Sequence, residues 1–368
     1  MGLIINQASV TKNLRSAFDL FYSYPEINLT AIFSPQHGLK GEKQANMIES
    51  ADFIDEQTGL PIYSLYGKTR IPTKDMLENV DVLVFDLQDI GTRVYTYIST
   101  LAYAMQACKK FNKKIIVLDR PNPITGQKVE GNILEPEFSS FVGLFPIPIR
   151  HGMTVGELAL FFNQEFKINS DLEVIPMQGW KRKMWYDQTG YQWVPPSPNI
   201  PTLETAIVYP ATVYLEGTNV SEGRGTTKSF EFCGAPFINS QQLIDQLEKE
   251  NLPGVIFRPV AFQPTFSKWK DEVCYGIQIH VVNRNIFQSV KTGLAIIKAI
   301  YYLYPDKFSW RLPPYEYEYQ KLPFDILWGT DKIRKQIENN ISIEDIEKSW
   351  QSDLENFKQK RNNYLLYS

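Results

Sequence analysis

The sequence predicts an α/β domain built around a mostly parallel sheet, followed by a smaller α+β domain. Three observations carry this. Short apolar runs alternate with helical patterns through the first half of the chain. The run within Val80–Leu87 has the composition of a strand buried on both faces. After about residue 178 the texture changes to sparser elements and longer loops, including the rigid Pro195-Pro-Ser-Pro-Asn-Ile-Pro201 and the glycine-rich Glu216–Gly225.

Taken in order, Leu3–Asn6 reads as a first strand, and Leu14, Phe18 and Phe21 mark one face of a helix. Strands follow at Leu29–Phe33, Pro61–Tyr66 and Val80–Leu87, then a helix over 96–111 and a strand at Lys114–Leu118. Thr154-Val-Gly-Glu157 is a capping box opening a helix that buries Leu158, Phe161 and Phe162. A strand at Leu172–Pro176 closes this domain, 1–178. The second, 179–368, carries helices near 240–250, 286–304 and 341–364, with strands at Val255–Val260 and Gly276–Val282.

Composition narrows the function. With 368 residues the chain is long enough for two cored domains. Lys+Arg 38 against Asp+Glu 41 leaves no domain-wide basic surface, which argues against nucleic acid as the main partner. The longest uncharged stretch that reads as helix, Val94–Cys108, carries Tyr, Thr and Ser and is too short to span a membrane. Cys108, Cys233 and Cys274 are scattered, as are the three histidines, so neither a disulfide framework nor a metal site is expected. Aromatic content is 13%, with 20 Tyr and 22 Phe, which fits a large aromatic core and also supplies rings that stack on sugar faces. The start, Met1–Asn6, lacks the basic region and cleavage site of a signal peptide, which reads either as a cytoplasmic chain or as a start that is not the native one.

Ligands of open α/β sheets bind beyond the carboxyl ends of the strands. Three such ends carry polar clusters here: Ser34-Pro-Gln36-His37-Gly38, Asp86-Leu-Gln88-Asp89-Ile-Gly-Thr-Arg93-Val-Tyr95-Thr-Tyr97, and Asp119-Arg120-Pro-Asn122-Pro123. No dinucleotide fingerprint, P-loop or nucleophile elbow is present, so no cofactor is expected. Carboxylates beside amides and arginines suit glycoside cleavage, in which one acid donates a proton to the leaving oxygen and a second group supports the cationic transition state. The arginines add a bidentate fork for a carboxylate on the substrate.

Those clusters, with Gly59–Gly67, His151-Gly-Met-Thr-Val-Gly-Glu-Leu-Ala159, Pro196-Ser-Pro-Asn199 and Gly217–Thr227, span almost the whole chain in order, and in this the sequence resembles the NamZ family. That family contains exo-β-N-acetylmuramidases, which release terminal N-acetylmuramic acid from peptidoglycan fragments. The resemblance implies a Rossmann-like domain, a smaller second domain, a cleft between them and a MurNAc-containing amino sugar as partner. Its members are often exported.

One position departs from the family. The family's proposed catalytic residue is the Glu of a Pro-Glu-His-Gly motif, where this chain has Gln36. An amide does not exchange the proton in the same way, which leaves two readings: a hydrolase with a rearranged acid, or a protein that binds the sugar without cleaving it or acts on a different glycoside. For the first, Glu49 or Asp86 is expected to donate the proton, and Asp89 or His37 to orient water or stabilise charge. Arg93, Arg120 or Arg224 would hold the substrate carboxylate, and Asn122 or Gln88 the N-acetyl group. Gln36, Tyr95, His151 and Glu222 complete the expected lining.

Overall fold

The computed structural model describes residues 1–44 and 48–368. The first half supplies strands β1 (Gly2–Ile4), β2 (Ala31–Ser34), β3 (Phe53–Ile54), β4 (Pro61–Ser64), β5 (Val82–Phe85), β6 (Lys114–Leu118), β7 (Glu130–Ile133), β8 (Pro148–Arg150) and β9 (Asp171–Ile175). Seven of these form one sheet in the order β3-β4-β2-β1-β5-β6-β9. All its pairings are parallel except that of β3 with β4.

Alternation along each strand divides its side chains between two cores. Ile4, Phe33, Leu83, Phe85, Ile115 and Val117 face the larger core, with helices α2 (Tyr97–Lys110) and α3 (Val155–Glu165). Leu3, Ile32, Ile62 and Val84 face the smaller one, covered by α1 (Ala17–Ser23), the helix before β2. That helix begins later than the spacing of Leu14 suggested: Leu14 has φ 60°, cannot continue a right-handed helix, and is exposed. The capping box of α3 forms as read, with Glu157 N donating to Thr154 Oγ1 at 3.2 Å and Thr154 N to Glu157 Oε2 at 3.0 Å. The three cysteines are free and buried, and burial pushes the Cys108 thiol up to about 12.

In the second half, strands β10 (Phe232–Ala235), β11 (Val255–Phe262) and β12 (Cys274–Val281) form an antiparallel sheet in the order β10-β12-β11. Around it lie α4 (Leu203–Thr212), α5 (Ser240–Glu248) and α6 (Ser289–Leu303), followed by α7 (Pro323–Trp328), α8 (Lys332–Glu338) and α9 (Ile343–Arg361). The end of the chain returns to the first half. Arg361 Nη1 donates to the Gly152 carbonyl at 3.1 Å, and Ser368 O accepts from Arg182 N at 2.9 Å. Among the described residues no helix is long and apolar enough to cross a membrane.

Candidate active site

A narrow pocket opens where the carboxyl ends of β2 and β5 meet the second half, and Gln36, His37, Tyr95, Thr96, Glu216 and Glu316 are among its lining. The two glutamates come from different segments. Glu216 ends a 3₁₀ turn that continues α4, over Val213–Gly217. Gly217 fixes how closely that turn approaches α7, because a Cβ there would lie 2.5 Å from the Phe324 backbone. Glu316 sits on a turn where it and Tyr317 both hold left-handed backbone, φ 47° and 66°. Non-glycine residues persist in that region only when their surroundings over-determine it.

Both carboxylates are buried, at 4% exposure each. Glu216 accepts from Arg224 Nη2 at 2.6 Å and from Tyr315 Oη at 2.7 Å. Glu316 accepts from Tyr66 Oη at 2.7 Å. Burial pushes the Glu316 carboxyl above its ordinary value; the Tyr66 bond opposes this, and the charge of Glu216 adds to it. Gln36 Oε1 accepts from Thr96 Oγ1 at 2.7 Å. His37 Nδ1 lies 2.6 Å from the Lys43 carbonyl, so that nitrogen carries the hydrogen and Nε2 is left as an acceptor. Burial lowers this imidazole to about 4, which keeps it neutral near pH 7.

Behind Glu216 runs a chain of buried charges. Arg224 Nε stands 3.4 Å from Glu222, and Lys268 Nζ 2.6 Å from the other Glu222 oxygen. Against the upward push of burial, Lys268 and Arg224 hold the Glu222 carboxyl below its usual range. Lys268 also donates to the carbonyls of Leu215 and Val220, each at 2.6 Å, and of Thr218 at 3.2 Å. Its neighbours belong to the β11–β12 connection, where Trp269 Nε1 donates to Asn219 O at 2.6 Å and Thr265 N to Gly225 O at 2.9 Å. Gly225, at φ 81°, admits this contact because a Cβ would lie 2.7 Å from Phe266 O. The connection therefore grips the segment that carries Glu216.

Of the residues singled out from the sequence, Gln36, His37, Tyr95 and Arg224 line the pocket, and Glu222 stands behind Arg224. The others are placed elsewhere. Asp86 is not presented to the pocket: both its oxygens accept from Arg120, at 2.5 and 2.9 Å, and Arg120 also donates to Val10 O at 3.2 Å. Asp89 caps its own turn, accepting from Gly91 N at 2.7 Å, and lies 3.5 Å from His151 Nε2. His151 is fully buried, with Nδ1 accepting from Met153 N at 3.2 Å.

Arg93 is corrected most sharply. Its guanidinium is buried, with Nη1 and Nη2 donating to four carbonyls, those of Asn132, Ile147, Leu327 and Trp328, so it holds α7 against the β7–β8 hairpin and lies outside the pocket lining. Gln88 donates to Asp89 O at 2.7 Å and Pro121 O at 2.9 Å, and Asn122 closes an Asx turn on Ile124 N at 3.1 Å while donating to Met153 O at 2.9 Å. Neither amide faces the pocket. Glu49 is exposed, accepting from Tyr317 Oη at 3.0 Å.

Glu216 and Glu316 were not foreseen as site residues. They stand 100 positions apart, and no spacing rule joins them. The visible signal was the density of Tyr and Glu in Tyr315-Glu316-Tyr317-Glu318-Tyr319, directly after a proline pair. Among the described residues no group of three or more His, Cys, Asp or Glu is placed to hold a metal ion.

Two buried acids thus share one aromatic-walled pocket at the carboxyl edge of the parallel sheet, a pairing of the kind glycoside cleavage uses. The chain belongs to the exo-beta-N-acetylmuramidase NamZ family: the N-terminal family model matches residues 1–204 and the C-terminal one residues 207–367. It is 53% identical over 367 residues to the peptidoglycan beta-N-acetylmuramidase NamZ of Bacillus subtilis (strain 168), covering 100% of this chain and 86% of that one. Two crystal structures of DUF1343 family proteins from Bacteroides fragilis share the fold. One has a TM-score of 0.89 at 40% identity, over 100% of this chain and 94% of the other. The second has a TM-score of 0.78 at 31% identity, over 100% and 93%.

Proposed function

We propose that this protein is a glycoside hydrolase that releases terminal N-acetylmuramic acid from peptidoglycan fragments, with Glu316 as the proton donor. The observation that carries this is the burial of Glu316 in the same pocket as Glu216, which holds its carboxyl in the protonated form at higher pH than usual. A protonated acid donates to the leaving glycosidic oxygen. Glu216, ion-paired to Arg224, faces the positive charge that develops on the sugar ring. Gln36, braced by Thr96, has an amide N–H free to orient the substrate's acetamide, whose own oxygen then assists departure without an enzyme nucleophile. His37 Nε2 accepts from a sugar hydroxyl.

One observation favours a second reading, saccharide binding without cleavage: Gln36 occupies the position at which the resemblance places the family's catalytic Glu. A chromogenic β-N-acetylmuramic acid glycoside, with the N-acetylglucosamine analogue as control, separates the two. Release from the muramic substrate, lost in Glu316→Gln, supports the hydrolase. Saturable binding with no release, and release switched on by Gln36→Glu, supports the second.

A further inference from the structure

We propose that Arg70 is the residue that reads the anionic substituent of the sugar and so sets the preference for muramic acid over its uncharged analogues. The inference rests on the substrate class proposed above.

A carboxylate-bearing substrate must enter a pocket that already holds two glutamates, so some cation has to meet it. The cations of this region are mostly committed. Arg224 is ion-paired to Glu216 and Glu222, and Lys268 to Glu222. Arg120 is forked onto Asp86, and Arg93 is spent on backbone carbonyls. Arg70 differs from the three ion-paired cations in forming no ion pair among the described residues, and from Arg93 in holding no backbone carbonyl there; its buried Nε, like that of Arg93, has no acceptor.

Its place is nonetheless built. The guanidinium lies 3.9 Å from the ring centre of Tyr317, 5.0 Å from Phe141 and 5.3 Å from Tyr66. Rings fix the plane of a guanidinium without neutralising it, which leaves its N–H edge for a planar acceptor. The walls of this cage are also walls of the acid site. Tyr66 is the donor to Glu316, Tyr317 follows Glu316 in the chain, and Phe141 precedes the pocket residue Val142. Arg70 is close enough for its charge to bear on the Glu316 carboxyl. The fold also favours the position, because Arg70 lies in the segment following the carboxyl end of β4. A sugar whose leaving oxygen meets Glu316 would therefore extend its acidic side group over the Tyr66–Tyr317 wall to the Arg70 fork.

The test compares two chromogenic β-glycosides, one of N-acetylmuramic acid and one in which the lactyl carboxylate is the primary amide. The readout is the acid-to-amide ratio of kcat/KM, or of Kd by calorimetry if neither is cleaved. A general loss of activity cancels in this ratio. The wild type is expected to favour the acid about 10- to 100-fold, the range of charge-assisted hydrogen bonds. Arg70→Met should bring the ratio close to one, and Arg70→Lys should retain part of it, having charge without the fork. Should Arg70→Met melt below the assay temperature, the partial ratio of Arg70→Lys decides. A ratio unchanged in the variants, or a wild type that treats acid and amide alike, overturns the role of Arg70 while the hydrolase reading stands. A wild type that neither binds nor cleaves either sugar overturns both.

Discussion

Two buried charged regions lie along the carboxyl edge of the same sheet, and they are built to opposite ends. At β5 and β6 the acids are met from inside the chain: Asp86 by Arg120, Asp119 by Thr154, Gly156 N and Tyr367, and one oxygen of Asp89 by Gly91 N. Beside β2, two acids share one pocket lining, and Arg70, outside that lining, forms no ion pair among the described residues. Burial is common to both regions and distinguishes nothing. The distinction is whether the partners are supplied by the fold or left to a ligand.

The largest effect expected from breaking this contrast is in Glu316→Gln. Removing a general acid costs about 10²- to 10⁴-fold in kcat, and KM should change far less, since the amide keeps the size of the side chain. The pH profile sharpens the point. The donor must be protonated, so activity falls as pH rises through the Glu316 value, which lies above the ordinary 4.5 because of burial and the nearby Glu216. Glu216→Gln removes the like charge, and the alkaline limb of its residual activity should move to lower pH. A limb that stays in place would detach Glu216 from the acid.

Lys268→Met should follow in size. It deprives Glu222 of a buried partner and frees three carbonyls of the segment that positions Glu216. Loss of one partner of a buried pair costs about 3–5 kcal/mol, so the melting temperature should drop. Because Lys268 lies outside the pocket lining and reaches Glu216 through the carbonyls it holds and through Glu222 and Arg224, the soluble variant should lose kcat more than KM. Equal loss in both would make Lys268 a purely structural residue.

How much of this was legible follows from the kind of signal each part gives. The parallel frame was readable because apolar runs and the Thr154–Glu157 capping box are local: β6 spans Lys114–Leu118 as the sequence predicts. Helix α4 was not readable, because Pro210 lies inside it and proline reads as a breaker. The β7–β8 hairpin is short and contains Gly131, so neither alternation nor length marks it. The site suffered from a subtler confusion. Strand-end acids and arginines were visible, but whether they pair with each other is decided by distances that only the tertiary structure supplies. Asp86 and Arg120 satisfied the rule for placement and failed the test of availability.

Asp86→Asn probes that failure directly. It removes the charge that neutralises Arg120, at 5% and 11% side-chain exposure, so stability should fall by about 3 kcal/mol. Below the melting transition, turnover should stay within about twofold of wild type, the mark of a pair that serves the fold. A loss of turnover in a folded Asp86→Asn protein would return the carboxyl edge at β5 to the chemistry.

Glu49→Gln should give the smallest change, and its direction is informative. Glu49 is exposed and accepts from Tyr317, the ring on which Arg70 stacks. The amide retains an acceptor for that bond, so kcat should stay within about twofold, as for other exposed charges. The lost negative charge stands near the path of an anionic sugar to Arg70, so KM for the muramic substrate should fall slightly. That gain should fade between low salt and about 1 M, where the screening length shrinks to roughly 3 Å, and should be absent for the lactyl amide. A collapse of kcat would instead make the exposed rim, and not the buried pair, the source of the proton.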